Sequence, residues 1–245
     1  MSGEPDHGPD QGLTFVALTQ PISPRHRIVE VIAELDAGPP TKRSYGSGLL
    51  LGARQVLTCA HVVKGAAKVW VRLLGETDLR SVELKESLLG EPDPRHLDMA
   101  LLAVPDCPEL TPLPIGQISR DVAECVNING CCAVGFPEFA EVSRDAAGRT
   151  MRESKQVVGS IAPLSGLKED LFFLEVMSNP RATLPSPSGQ AHAPSPWEGM
   201  SGAAVFAPDA RVEGGEVLIG VIVEHAMKRG ASDITVLPIS RLFNE

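Results

Sequence analysis

The stretch GSGLLLGARQVLTCAHVVKGAAKVWVRLL, residues 46–74, packs three short apolar runs between turn-forming and charged residues. The runs GSGLLLG (46–52), RQVLTCAHVV (54–63) and AAKVWVRLL (66–74) are rich in Val and Leu, and glycine lies in or beside each break. Short apolar runs bounded in this way read as strands, and none is long enough for a helical crossover. The same rhythm extends in both directions. RIVEVIAEL (27–35) precedes the stretch, and SVELKESLL (81–89) and DMALLAV (98–104) follow it. Beyond the proline-punctuated VPDCPELTPLPIG (104–116) come CVNINGCCAVGF (125–136), KQVVGSIAPL (155–164), LFFLEVMS (171–178), GAAVFA (202–207), VLIGVIVEHA (217–226) and DITVLPIS (233–240). The breaks LGETD (74–78) and DARVEGGE (209–216) carry hairpin-like turn chemistry.

Six runs, a break and six more predict an all-β chain with two similar halves. Two six-stranded antiparallel β-barrels satisfy the count, because closure removes exposed strand edges. The expected organisation is a loose polar leader over residues 1–26, an N-terminal barrel over 27–116 and a C-terminal barrel over 117–245. The segment NPRATLPSPSGQAHAPSPW (179–197) is a long Pro/Ser/Ala loop just before a glycine-rich strand start. Loops of that length within compact domains are usually functional or mobile.

Composition narrows the function. The 245 residues carry 22 Lys and Arg against 31 Asp and Glu, a formal net charge of −9. An acidic chain lacks the clustered cations that grip phosphate backbones, so nucleic acid is not an expected partner. Aromatics make up only 4%, while 23 Gly and 21 Pro suit many short elements joined by turns. The start MSGEPDHGPDQG has no secretory pattern, and no apolar run has the length of a membrane span. Five cysteines, with Cys131 and Cys132 adjacent, make a poor disulfide framework. A reduced, cytoplasmic location is expected, with no membrane partner.

Nucleophilic catalysis needs a hydroxyl or thiol, a base to take its proton and an acid to hold that base. His61 lies in TCAHVV at a strand end, Asp98 opens the apolar run DMALLAV, and Ser201 lies in EGMSGAAV between Gly199 and Gly202. Glycine at 199 lets the backbone curl so that neighbouring N–H groups converge on one point. The N–H groups of Gly199 and Ser201 are the candidate oxyanion-hole donors, each typically worth roughly 3 kcal/mol in the transition state. Cys59 reads as buried filler, His96 and His192 as loop residues, and Asp93 as a loop carboxylate before Pro94.

The segments GSGLLLGARQVLTCAHVV, DMALL and GMSGAAV resemble the three signature regions of the chymotrypsin/trypsin-like serine peptidases, closest in style to the bacterial intracellular and stress-related branch. The resemblance runs from about residue 27 to residue 243. It implies two six-stranded barrels with the active site between them. It also implies Ser201 as nucleophile, His61 as general base and then acid, and Asp98 as the group that fixes the imidazole tautomer. Its departures are informative. Val62 follows His61, so the disulfide found beside the histidine in the best-known members is absent. Met200 stands where digestive members carry an Asp that pairs with a freshly cut N-terminus. Activation by clipping is therefore not expected; the site is either preformed or organised by something else, such as an activating or recruiting protein partner or the substrate.

Ser195 stands six residues before the nucleophile, where trypsin-like members place a pocket-base carboxylate. A neutral residue there argues against simple Lys/Arg selection. VLIGVIVEHA is expected to form one pocket wall, with Val223, Glu224 and His225 beside the substrate, and an edge to which a peptide adds as a strand. The expected substrate is a protein or peptide. No Walker A loop, HExxH or CxxC pair is present, so no cofactor and no metal are expected. Ser201 lies in G-M-S-G-A rather than G-x-S-x-G, which excludes the α/β-hydrolase elbow. Two alternatives remain open on sequence alone: a catalytically latent peptide-binding module, and a hydrolase of small esters.

Overall fold

The computed structural model describes residues 24–36, 42–52, 54–89, 98–107, 110, 113, 127–161, 171–176, 197–211, 215–225 and 233–239. Among them the chain forms two β-structures. The first is a seven-stranded antiparallel sheet built from β1 (Ile28–Leu35), β2 (Lys42–Leu50), β3 (Gln55–Thr58), β4 (Ala66–Leu73), β5 (Arg80–Ser81), β6 (Leu88–Leu89) and β7 (Ala100–Ala103). Its spatial order is β5-β4-β1-β2-β3-β7-β6, so β1 and β2 are central. A one-turn helix, α1 (Ala60–Val63), follows β3.

The second structure is a closed barrel of six strands. It comprises β8 (Ile128–Gly135), β11 (Lys155–Ile161), β12 (Phe172–Val176), β13 (Ala204–Pro208), β14 (Glu216–His225) and β15 (Asp233–Pro238), in the order β11-β12-β15-β14-β13-β8. Each barrel strand corresponds to one apolar run of the second group. The first half has one strand more than its six runs. SVELKESLL does not stay extended: Leu84–Glu86 is a 3-10 turn that splits it into β5 and β6. In its ELKES centre Glu83, Lys85 and Glu86 stay exposed and Leu84 packs only partly against the core, while Leu88 and Leu89 remain exposed.

Apolar runs miss one element, the hairpin of β9 (Glu141–Arg144) and β10 (Thr150–Arg152). It belongs to the chain's second half but lies against the first sheet. Arg43 donates to the carbonyls of Ala147 and Gly148 at 3.0 Å each, and Thr150 N–H donates to the Tyr45 hydroxyl at 3.1 Å. The guanidinium of Arg149 sits 4.7 Å from the centre of the Trp70 ring, and that of Arg152 sits 4.7 Å from the Tyr45 ring. Such cation–π contacts hold the strap by its arginines.

Alternation along the strands sorts side chains into two cores. In β8, Cys131 and Ala133 face the barrel interior while Cys132 and Val134 join the core of the first sheet. In β13, Val205 and Ala207 face inward, and Ala204 and Phe206 outward. Both faces of these strands are therefore buried, which explains why their sequences read as continuous apolar runs. The first-sheet core (Val29, Val31, Leu49, Val56, Leu102 among others) continues into these outward faces, so one apolar layer joins the halves. The 3-10 turn Pro24–Arg27 adds a polar tie, because Arg25 bonds Glu216 on β14 and Gln156 on β11. Residues 1–23 of the expected leader lie outside the described residues.

Gly159 on β11 lies at a tight point of the barrel. A Cβ there would collide with the Glu175 carbonyl oxygen and lie 3.0 Å from a Leu174 methyl, at a register shift between β11 and β8. In an open strand, Gly→Ala is usually favourable because it stiffens the unfolded chain. Here overpacking reverses the sign: Gly159→Ala is expected to destabilise the protein by about 1–3 kcal/mol, seen as a lower urea midpoint at unchanged slope.

Candidate active site

β3 and β7 are neighbours, with Thr58 opposite Ala100. The residues just after β3 and just before β7 therefore reach the same corner of the sheet. There Asp98 binds the start of α1 at three points. Its carbonyl accepts from Ala60 N–H at 3.3 Å, and its Oδ1 accepts from His61 N–H at 3.0 Å. Its Oδ2 lies 2.5 Å from His61 Nδ1. The Asp98 side chain is 4% exposed and that of His61 40%, so the carboxylate is shielded while the imidazole reaches solvent. In the neutral tautomer that carries its proton on Nδ1, that N–H donates to the carboxylate and Nε2 is left as an acceptor. Gly46 on β2 makes room for this turn, since a Cβ there would meet both Val62 methyls at 2.7 Å.

Cys59, His61 and Asp98 have potential ligand atoms within 4.8 Å of one another, a spacing that invites a metal reading. The thiol argues otherwise. Burial pushes the Cys59 pKa well up, the Asp98 charge adds to that, and its Sγ donates to the Ile222 carbonyl at 3.1 Å. A protonated thiol used as a donor is a poor metal ligand. The four described cysteines, Cys59, Cys107, Cys131 and Cys132, are all free and buried.

Ser201 lies in a tight turn ahead of β13. Met200 N–H donates to the Trp197 carbonyl at 2.9 Å, and Ala203 N–H donates to the Met200 carbonyl at 2.8 Å. Gly199 and Gly202 take φ of +86° and +87°, a region that disfavours side chains. Space forbids them too. A Cβ on Gly202 would collide with the Ser47 carbonyl, and one on Gly199 would collide with Arg152 Nη1 and crowd the Phe136 carbonyl at 2.7 Å. The Glu198 carbonyl accepts from Glu138 N–H at 2.7 Å. In a trans peptide the N–H points opposite to the C=O, so the N–H groups of Gly199 and Ser201 are turned away from the acceptors of Glu198 and Met200. Among the described residues, neither donates to a backbone carbonyl.

The first sheet holds this turn through Ser47 of β2. Ser47 N–H donates to the Ser201 carbonyl at 2.8 Å, and its hydroxyl donates to the Gly199 carbonyl at 2.8 Å while accepting from Phe136 N–H at 2.8 Å. The Ile222 carbonyl on β14 closes the junction by accepting from both Cys59 Sγ and, at 2.8 Å, Gly202 N–H. His61 and Asp98 on one side and Ser201 on the other are thus anchored to one seam.

The expected specificity residues fare differently. Ser195, and the loop 179–197 up to Trp197, lie outside the described residues. Val223 is 2% exposed and packs into the first-sheet core, so its backbone rather than its side chain is available to a substrate. Glu224 and His225 pair with Thr235 and Ile234 of β15. Strand pairing of β13 with β14 ends at Val221 and Ile222 is still bonded to Gly202 and Ala203, so that edge of β14 has no neighbour among the described residues only from Val223 onward. This is the edge to which the sequence assigns an added strand.

A charged cluster behind the turn is absent from the sequence reading. Glu30 on β1 is fully buried and holds two arginines. Arg72 donates to its Oε2 through Nε at 2.9 Å and Nη2 at 2.7 Å, and Arg152 donates to its Oε1 through Nε at 2.8 Å. Burial pulls the Arg152 pKa down and the adjacent Glu30 carboxylate opposes that fall. The legible signal is Glu30 itself, a lone carboxylate inside the apolar RIVEVIAEL.

Residues 46–214 match the family model of the trypsin-like peptidase domain. No curated protein matches the chain. Among solved structures, the active form of the Rv3671c protease from M. tuberculosis superposes with a TM-score of 0.54 at 20% identity, covering 99% of this chain and 89% of that one. Its inactive form gives 0.53 at 18% identity, covering 90% and 87%. The HtrA-type protease AlgW with a tripeptide gives 0.56 at 19% identity, covering 90% of this chain and 59% of that one. At these identities the likeness establishes the fold: a mostly β chain of the two-barrel type, with a closed barrel and an open sheet. The family match over most of the chain goes further: the protein belongs to the trypsin-like peptidase domain family.

Proposed function

We propose that the protein is a serine endopeptidase that cleaves protein or peptide substrates through an acyl-enzyme on Ser201. His61 is the general base and then the general acid. Asp98 holds the imidazole, and the N–H groups of Gly199 and Ser201 receive the oxyanion. In this reading, residues 27–116 supply His61 and Asp98, and residues 117–245 supply Ser201 and its turn. The observation that carries it is the double hold of Asp98 on His61, at 2.5 Å to Nδ1 and 3.0 Å to the backbone N–H. A carboxylate placed there selects the tautomer whose Nε2 accepts a proton, and it stabilises the imidazolium that results.

Ser201 Oγ attacks the scissile carbonyl as His61 Nε2 takes its proton. The tetrahedral oxyanion collapses, and His61 passes that proton to the leaving amine. Water then repeats the sequence on the acyl-enzyme and frees Ser201. A peptide docked as a strand on the open stretch of β14 beyond Ile222 would run past this point.

The finer reading is an intracellular enzyme organised by a protein partner. Free thiols at the four described cysteines favour a reducing compartment. Met200, fully buried in the barrel core, offers no carboxylate to a clipped N-terminus, which favours control by other means. Among the described residues no helix is long and apolar enough to cross a membrane.

Intact-mass detection of fluorophosphonate labelling near neutral pH tests the assignment. One adduct is expected on the wild type and none on Ser201→Ala; an unlabelled wild type of proven fold would sink the reading of a competent site. Asp98→Asn is expected to fold yet lose about ten-thousandfold in turnover, the loss typical when this carboxylate is neutralised and the wrong tautomer favoured. Stopped-time assays of ester or peptide hydrolysis measure it, and near-native turnover would remove Asp98 from the mechanism.

A further inference from the structure

Glu30, Arg72 and Ser47 are cross-strand neighbours, with Glu30 opposite Ser47 on β2 and opposite Arg72 on β4. Paired residues of an antiparallel sheet project from the same face. The register that sends the Ser47 hydroxyl to the Gly199 carbonyl therefore sends the Glu30 carboxylate toward the same turn. Arg152 arrives there from the β9–β10 hairpin and lies so close that Gly199 has no room for a Cβ beside its Nη1.

The charges do not cancel. One carboxylate faces two guanidinium groups, which leaves one net positive charge in a region where Glu30 is 0% and Arg152 1% exposed. Among the described residues, Nη1 and Nη2 of Arg152 have no hydrogen-bond acceptor, although both atoms are buried. Glu138 is the other nearby carboxylate; its charge acts on Arg152 too, but it is exposed and makes the smallest contribution, so it does not balance the cluster. A buried, unbalanced guanidinium is expensive for stability alone, since balanced apolar packing does as well or better. Its position against Gly199 suggests what it acts on. A fixed positive charge in a poorly screened interior favours nearby negative charge, and it does so without reorganising during the reaction.

We propose that Arg152, held by Glu30 and supported by Arg72, is a positioning residue of the oxyanion turn that stabilises the developing oxyanion through its net buried charge. It touches Gly199 rather than the substrate. The inference rests on the reading of Ser201 as nucleophile.

Three variants of the full chain test it, each checked for fold by thermal melting. Arg152→Met leaves Glu30 paired with Arg72, so no unpaired anion is stranded. It is expected to slow fluorophosphonate labelling and to lower kcat for p-nitrophenyl acetate by roughly tenfold to a hundredfold, with KM little changed. Arg152→Lys keeps the charge and is expected to recover most of the rate. Arg72→Met removes the same unit of charge from the far side of Glu30, and slower labelling is expected there too. Labelling of folded Arg152→Met within about twofold of the wild type would overturn the proposal. So would an Arg152→Lys rate as low as that of Arg152→Met, because shape rather than charge would then matter. If Arg152→Met does not fold, Arg72→Met decides: a wild-type rate overturns the proposal and a slower one supports it. An unlabelled wild type is a separate failure, that of the nucleophile itself, and would take this inference with it.

Discussion

Ser47 joins the two halves of the chain by using its backbone and side chain together. β3 pairs with β2 from Val56 to Thr58 and then leaves the sheet at Cys59. The backbone of Ser47, one residue beyond the last pair, is left without a strand neighbour on that side. The Ser201 carbonyl takes its N–H, and the Thr58 hydroxyl, at 2.7 Å, takes its carbonyl. A buried polar group without a partner costs on the order of 1–3 kcal/mol, so the early end of β3 commits the first half to receiving the second. The hydroxyl, between Gly199 and Phe136, extends the same seam to the carbonyl side of the turn.

The seam explains which parts of the architecture are legible in sequence. Barrel strands such as GAAVFA (202–207) and VLIGVIV (217–223) are buried on both faces, so apolar content alone marks them. His61, Asp98 and Ser201 are marked by local motifs, and the adjacency of β3 and β7 brings the first two into contact. Periodicity fails where structure is held by polar contacts. The β9–β10 hairpin lies in EFAEVSRDAAGRTMR, which has no apolar run, because its anchors are arginines laid on Trp70 and Tyr45. In a chain with a single tyrosine and two tryptophans, that use of aromatic faces cannot be read from spacing. SVELKESLL fails in the opposite sense: its leucines imitate a strand, but its charged centre turns outward and only its ends pair.

Ser47 and Glu30 also show how one register choice can serve two purposes. A slip of one residue between β1 and β2 would turn either Glu30 or Ser47 to the opposite face. The turn would then lose its neutral brace or its charged one. The carboxylate also sets the strand contents around it. Opposite Glu30 on β4 stands Arg72 rather than another Val, and the hairpin that covers this face brings Arg152 to the second carboxylate oxygen. Arg72 then donates to the Arg152 carbonyl as well, tying the hairpin backbone to the first sheet.

Met200, in the middle of the turn, is buried and uncharged, so other contacts set the shape of the turn. Three neutral hydrogen bonds do so: Ser47 to the Ser201 and Gly199 carbonyls, and Glu138 N–H to the Glu198 carbonyl. Each carbonyl so held fixes a peptide plane, and each fixed plane aims an N–H. Two of these donors belong to Ser47 on the first sheet, and the third belongs to the segment between β8 and the hairpin. The turn is therefore sensitive to both supports at once, and anything that displaces the hairpin from Tyr45 and Trp70 acts on Gly199 through Arg152 and Glu138 together.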